Sequence, residues 1–250
     1  MDFIEFGNRK INFEIKRGNR KKTVAIHVRP TARVTVLTPR HLDGDKIRMI
    51  VRKKARSILE KQGQMEKSRH SSPRKEFVSG ESFPYLGKYY RLKVVKSTSA
   101  AEGKCRLINR RLVIEVNGKS DSENRKTVIK RALMDWYLSQ AEEKVEERAN
   151  RFAKLIGKWP TSVKIKNQER RWGSCSKNGE IRFNWKIVMV PTSVIDYVVT
   201  HELCHLIYPH HSTRFWQKVQ SIIPDYKRRR EWLKSFSIQT DNLNYSLTLQ

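Results

Sequence analysis

The chain has 250 residues, 38% hydrophobic and 31% charged, enough for one large or two small domains with a buried core. Its 53 Lys and Arg against 25 Asp and Glu give a formal net charge of +28, which suits a polyanion partner, because neutralised phosphates release condensed counterions, or a plain, strongly charged surface. Three cysteines far apart with no CxxC spacing exclude a disulfide framework, and no apolar run reaches signal-peptide or bilayer length, so the sequence predicts a cytoplasmic protein without a membrane span.

In chain order, INFEIK, TVAIHVRP and RVTVLTP alternate as strands do, around a basic turn RGNRKK and a break at Pro30. DGDKIRMIVRKKARSILEKQ reads as one helix with Ile47, Ile50, Val51, Ile58 and Leu59 on its apolar face and basic residues on the rest. The polar stretch containing Ser71, Ser72 and Pro73 reads as a linker. The expected organisation is a basic β/α subdomain over 1–62, a linker over 63–76, a second domain over 77–236 and a polar tail over 237–250. GESFPYLGKYYRLKVV then reads as a hairpin and RRLVIEV as a strand. A long helix follows, with Ile129, Leu133, Trp136, Tyr137, Ala141, Val145, Ala149, Phe152 and Ile156 at intervals of three and four, ended by Gly157 and Pro160. SVKIKNQERRWGSCSKNGEIRFNWKIVMV reads as strand, glycine-containing turns and strand, with a hairpin turn at Lys177 to Glu180, since Asn-Gly tolerates positive φ. Thr192 or Ser193 can cap the next helix, SVIDYVVTHELCHLIY, and RFWQKVQSIIPDYKRRREWLKSF gives one or two helices broken at Pro224. No internal repeat is evident. The order favours an α+β fold, a small antiparallel sheet packed on helices, over a doubly wound one.

Four of the chain's seven histidines fall between 201 and 211, in HELCHLIYPHH. Four residues of helix advance about 400°, so His201 and His205 lie on one face, one turn apart, as two ligands of a tetrahedral zinc would. Glu202 flanks that face, placed to act on a metal-activated water as a base. A catalytic zinc takes a third protein ligand, and Pro209 stops the helix, so a turn can bring His210 or His211 back to the metal. Cys204 and Cys175 are the weaker alternatives as donors, since a small thiol more often packs as a hydrophobe. At this chain's own frequencies, H-[DE]-x-x-H is expected about 0.02 times by chance.

The segment from Arg170 to Leu233 closely resembles the YgjP-like metallopeptidase family in its RWGSCS hairpin, NW pair, VTHELCH helix, HSTRFW segment and PDYKRRREWL ending; a looser likeness extends upstream through RKKTVAIHVRP and FPYLGKYYRL. The WLM and SprT-like proteases, which act on proteins crosslinked to DNA, are a more distant comparison. The resemblance implies a zincin-like active-site helix, zinc held by His201, His205 and His211, and Glu202 as general base. His211 takes the third place because it precedes Ser212 as the family's ligand precedes its serine, while His210 stands where the family often has asparagine.

The expected activity is peptide hydrolysis by a zinc-activated water on a protein or peptide substrate, with Glu202 moving the proton. NGEIRFNW is the strand expected to pair with substrate, with Trp172 and Trp185 as candidate wall or core residues and Arg171 and Tyr226 as possible oxyanion donors. RGNRKK, the Lys46 to Arg56 helix and KRRR at 227–230 are three basic clusters suited to non-specific DNA or RNA contacts. The alternatives are a nucleic-acid-binding protein with a structural zinc site and a hydrolase of a non-peptide amide. Oligomeric state is not readable from the sequence.

Overall fold

The computed structural model describes residues 2–19, 23–28, 33–71, 75–97, 103–118, 121–168 and 171–242. The chain divides into two compact units, residues 1–74 with 237–244, and residues 75–236 with 245–250. The break at Pro30, the end of RGNRKK (Arg20, Lys21 and Lys22), Ser72 and Pro73 of the expected linker, and the last eight residues lie outside the described residues.

The first unit holds β1 (Asp2–Phe6), β2 (Arg9–Gly18), β3 (Ala25–Val28), β4 (Val34–Pro39), α1 (Gly44–Lys53) and α2 (Ala55–Ser71). Its sheet runs β1-β2-β4-β3, with β2 and β4 parallel and the outer pairs antiparallel. Ile4, Ile11, Phe13, Val34 and Val36 meet Ile47, Val51, Ala55 and Ile58 in one core, the strand residues recurring at two and the helix residues at three and four. The single helix expected here breaks at Lys54, whose N–H turns back to the carbonyls of Val51 and Arg52. Its continuation stays helical through Ser71, where an irregular linker was expected.

The second unit begins with β5 (Ser82–Tyr85), β6 (Lys88–Ser97), β7 (Cys105–Ile108) and β8 (Arg111–Asn117), in the order β5-β6-β8-β7 with β6 and β8 parallel. This is the strand order and pairing sense of the first sheet over again, a repeat of topology that the sequence does not display. α3 (Ser122–Ile156) follows, capped by the Asp121 carboxylate at one end and by left-handed Gly157 at the other. The apolar stripe expected on this helix is buried from Ile129 to Ile156, with Trp136 only partly covered.

β9 (Ser162–Lys166), β10 (Gly173–Cys175) and β11 (Glu180–Asn184) form a three-stranded sheet in the order β10-β11-β9. Gly179, at φ +78, closes the β10–β11 hairpin where the Asn-Gly turn was expected. All three sheets are mixed, not antiparallel, because each joins a hairpin to a strand that returns parallel, here β9 to β11. WKIVM is a buried 3-10 turn (Trp185–Met189), not strand. α4 (Thr192–Cys204), α5 (Thr213–Ile222) and α6 (Tyr226–Asn242, assigned to this unit as far as Phe236) follow, with the expected break at Pro224 between the last two. Pro191 stands at the N-cap of α4, and neither Thr192 nor Ser193 caps it through its side chain. The expected polar tail is helical as far as Asn242. The α+β class holds, with six α-helices and small sheets among the described residues. No described helix is long and apolar enough to cross a membrane.

Candidate metal centre

α4 is buried on nearly all sides, Val194, Ile195, Tyr197, Val198, Val199 and Leu203 among its core residues, so what it carries near its C-terminus is held rigidly. His201 and Glu202 lie in its last turn, and His205 is its C-cap, still in right-handed helical geometry (φ −67°, ψ −19°). The helix therefore ends four residues before Pro209. Its last N–H groups reach back three residues, His205 to Glu202, Leu206 to Leu203 and Ile207 to Cys204, the tightening usual at a helix end. The chain then doubles back through Pro209 and His210 to His211, and Ser212 caps α5 by accepting from the Phe215 N–H.

The three imidazoles of His201, His205 and His211 come together, each with a ring nitrogen within 4.8 Å of the others'. Nε2 of His211 and Nε2 of His201 are 3.0 Å apart, close to the roughly 3.3 Å between nitrogens of a tetrahedral zinc site. His205 Nδ1 lies 3.0 Å from the Tyr208 carbonyl. A carbonyl only accepts, so Nδ1 carries the proton and Nε2 the free lone pair. Burial pushes the His201 pKa down to about 3, with His205 and His211 adding to the effect. His205 and His211 are also lowered, burial again the first cause. All three are neutral at neutral pH, the form that binds a metal. As a donor set, three neutral imidazoles fit zinc.

Two aromatic residues of α5 pack the cluster. Phe215, fully buried, stacks on His205 at 4.6 Å and meets His201 edge-on at 4.9 Å. Trp216 stacks on His211 at 5.4 Å and on Tyr226 at 5.3 Å, with the Arg230 guanidinium 5.0 Å from its ring. These two residues appear in the sequence only as an aromatic pair after a capping serine. Their role follows from the return of the chain at Pro209, which no periodicity encodes.

Glu202 is 7% exposed, and its carboxyl pKa is raised to about 7 by burial, against a lowering effect of Arg171. β10 passes directly over it. A Cβ built on Gly173 would stand 2.6 Å from Glu202 Cγ and 2.8 Å from Oε1, so only glycine lets the strand come this near. Residue spacing does not report this contact, for which the glycine in RWGSCS is the only local signal.

His201, Glu202, His205 and His211 all line a cleft of about 1120 Å³ whose other wall includes Arg171 and Gly173. His210 borders the cleft but is not part of the three-nitrogen group. Neither cysteine joins it: Cys204 is fully buried and raised to about 11 by that burial, and the Cys175 thiol donates to the Ser176 carbonyl. Trp185 is buried against Tyr137, and Trp172 packs on Phe236, so neither walls the cleft. Tyr226 is buried under Trp216. The strand expected to pair with substrate, β11, is the middle strand of its sheet with both edges taken; the edge beside the cleft belongs to β10.

The basic clusters are partly engaged within the fold. Arg17 donates to the carbonyls of Arg40 and Leu42, and Arg48 pairs with Asp2 and Asp45. Arg228 and Arg229 pair with Asp225. Lys46, Lys53 and Lys54 make no ion pair among the described residues and are exposed.

The family model for the YgjP-like metallopeptidase domain matches residues 22–236. Among solved structures, the metallopeptidase zymogen abylysin from Pyrococcus abyssi is 23% identical over 36% of this chain and 92% of that chain, with a TM-score of 0.35. No curated protein matches the chain significantly.

Proposed function

The chain belongs to the YgjP-like metallopeptidase family, and from that premise we propose that it is a zinc-dependent peptidase in which His201, His205 and His211 hold the metal and Glu202 is the general base. The observation that carries the reading is the meeting of three neutral imidazole nitrogens within 4.8 Å, in the same cleft as a buried carboxyl. In this reading α4 is a zincin-like active-site helix. Zinc bound there supplies a Lewis acid for the scissile carbonyl and acidifies water at neutral pH.

The remaining work falls to the chain's own groups. The Tyr208 carbonyl fixes the tautomer of His205, and Phe215 and Trp216 hold the ring planes. Glu202, with its pKa near neutrality, is suited to take a proton from attacking water and return it to the leaving amine. Substrate binds in extended form along the outer edge of β10, which borders the cleft beside Glu202. Three free thiols suit action in the cytoplasm, where they stay reduced.

Metal analysis of the purified protein, paired with digestion of an unstructured protein, tests this reading. Zinc near one equivalent and cleavage abolished in Glu202→Gln with zinc retained is the expected result. A Glu202→Gln protein with unchanged turnover overturns it. The net charge of +28 supports a second, compatible reading, recruitment to nucleic acid without sequence preference. Gel shifts at two salt concentrations test it, and absence of binding at low salt removes it. The same assays with single-stranded DNA present show whether DNA promotes cleavage.

A further inference from the structure

We propose that the groove between β9 and α3 is a second polypeptide-binding site, taking an extended, basic stretch of a substrate chain as an added strand. The inference rests on the peptidase reading for its substrate, though not for its geometry. β9 is the other edge of the three-stranded sheet, paired only with β11. A groove of about 580 Å³ runs beside it, and all five residues from Ser162 to Lys166 line it. Alternate residues of a strand face opposite ways. A cavity against one face would touch every second residue; one touched by five in a row follows the edge, where backbone N–H and C=O groups point outward.

The far wall gives the occupant its charge. Glu142 and Glu146, one turn apart on α3, both line the groove and are exposed. Neither makes an ion pair among the described residues, in a chain with 53 basic residues. Unrelieved like charges at this spacing are mildly destabilising on a helix. Lys164 is turned to Glu180 on β11, which leaves Lys166 as the lone cation in the groove free of an ion pair among the described residues. An acidic wall beside a strand edge rejects a polyanion and favours a chain rich in Lys or Arg.

Trp159 joins this groove to the catalytic cleft. It is 57% exposed and lines both. An aromatic ring of that size left in water offers a stacking or apolar anchor to a chain passing from one groove to the other.

Fluorescence anisotropy on the full chain, zinc-loaded and carrying Glu202→Gln to prevent cleavage, tests the site with a labelled twelve-residue peptide alternating valine and lysine. The peptide should bind, and replacing its lysines with glutamate should weaken binding by about tenfold or more. N-methylation of all its valines or of all its lysines should separate the two sets: one abolishes binding and the other is tolerated, because only alternate N–H groups of an added strand face β9. Glu142→Lys with Glu146→Lys should weaken the unmodified peptide about tenfold and raise KM for an unstructured basic protein in the otherwise native enzyme. Equal binding by both N-methylated peptides or unchanged binding to the charge-reversed protein overturns the proposal. If this pattern appears but no form of the protein cleaves anything, the peptidase reading falls and the site stands. Cleavage without the pattern does the reverse.

Discussion

Replacing Gly173 with alanine puts a single methyl group where the carboxyl of Glu202, the proposed base, stands. The added carbon would sit 2.6 Å from Glu202 Cγ, 2.8 Å from Oε1 and 2.9 Å from Cδ, against ordinary contacts that begin at 3.4 Å. The nearest atom is roughly 0.8 Å too close, and three atoms of one side chain are affected, so rotating the tip does not relieve the clash. Either β10 lifts from α4 or Glu202 swings away. Overpacking of this kind costs about 1–3 kcal/mol, and a displacement near 1 Å at a catalytic group costs about a hundredfold in rate. Gly173→Ala should therefore lower kcat by about two orders of magnitude, reduce stability by no more than a few kcal/mol, and leave zinc content unchanged, because the three histidines lie outside the clash. Turnover of an unstructured protein, denaturant unfolding and metal analysis measure the three. Wild-type turnover in Gly173→Ala would show that the carboxyl need not occupy this position, and the role given to Glu202 would fall.

Burial of Glu202 also predicts a pH effect on the metal-free chain. Its folded pKa, about 7, lies above the ordinary 4.5, so the stability gained from its neutral form is complete below pH 4.5 and lost as pH rises through 7. The loss amounts to about 3 kcal/mol. Glu202→Gln, which cannot ionise, should gain that much over wild type between pH 5 and 8 in urea unfolding; a flat difference refutes the burial argument. His201 runs the other way, its folded pKa depressed from 6.5 to about 3. Its contribution is present above pH 6.5 and fades as pH falls toward 3, so the metal-free chain should weaken under acid, as thermal unfolding read at pH 6.5, 5 and 4 would show. His211 is exposed, so His211→Ala should lose zinc while changing folding stability in the metal-free state by less than about 1 kcal/mol. Chelation should abolish cleavage, restored by added zinc, and should lower apparent stability by about 2.7 kcal/mol relative to protein at zinc a hundred times its Kd.

The parts of this fold that local periodicity encodes were readable in the sequence. The stripe on α3, its Gly157 stop and the Asn-Gly turn each depend on residues near one another in the chain. β7 escaped because its hairpin with β8 turns on Asn109 and Arg110, both at positive φ, without the glycine that marks such turns. β1 escaped because DFIEF sets acids among its apolar residues, and only Ile4 is buried. The repeated four-strand topology is held by burial pattern and pairing sense, which different residues satisfy equally well. At the site, helical spacing brings His201 beside His205, but the choice of His211 over His210 depends on the turn that follows Pro209. The clamp by Phe215 and Trp216 and the passage of β10 over Glu202 are contacts between distant parts of the chain, and spacing does not report them.

That passage ties two functions to one strand. The strand that must lack a side chain at position 173 to admit the proposed base is also the edge strand bordering the cleft, where the proposed substrate backbone lies. Moving β10 by the width of a methyl group shifts the hydrogen-bonding edge along with the base, whereas Glu202→Gln changes the base and leaves the edge in place. Glu202→Gln should then lower kcat with little change in KM, and Gly173→Ala should lower kcat and raise KM together. A Gly173→Ala enzyme with β10 displaced in its crystal structure, yet with kcat lost at constant KM, would place the substrate elsewhere than on β10, since the strand would then have moved without disturbing what binds to it.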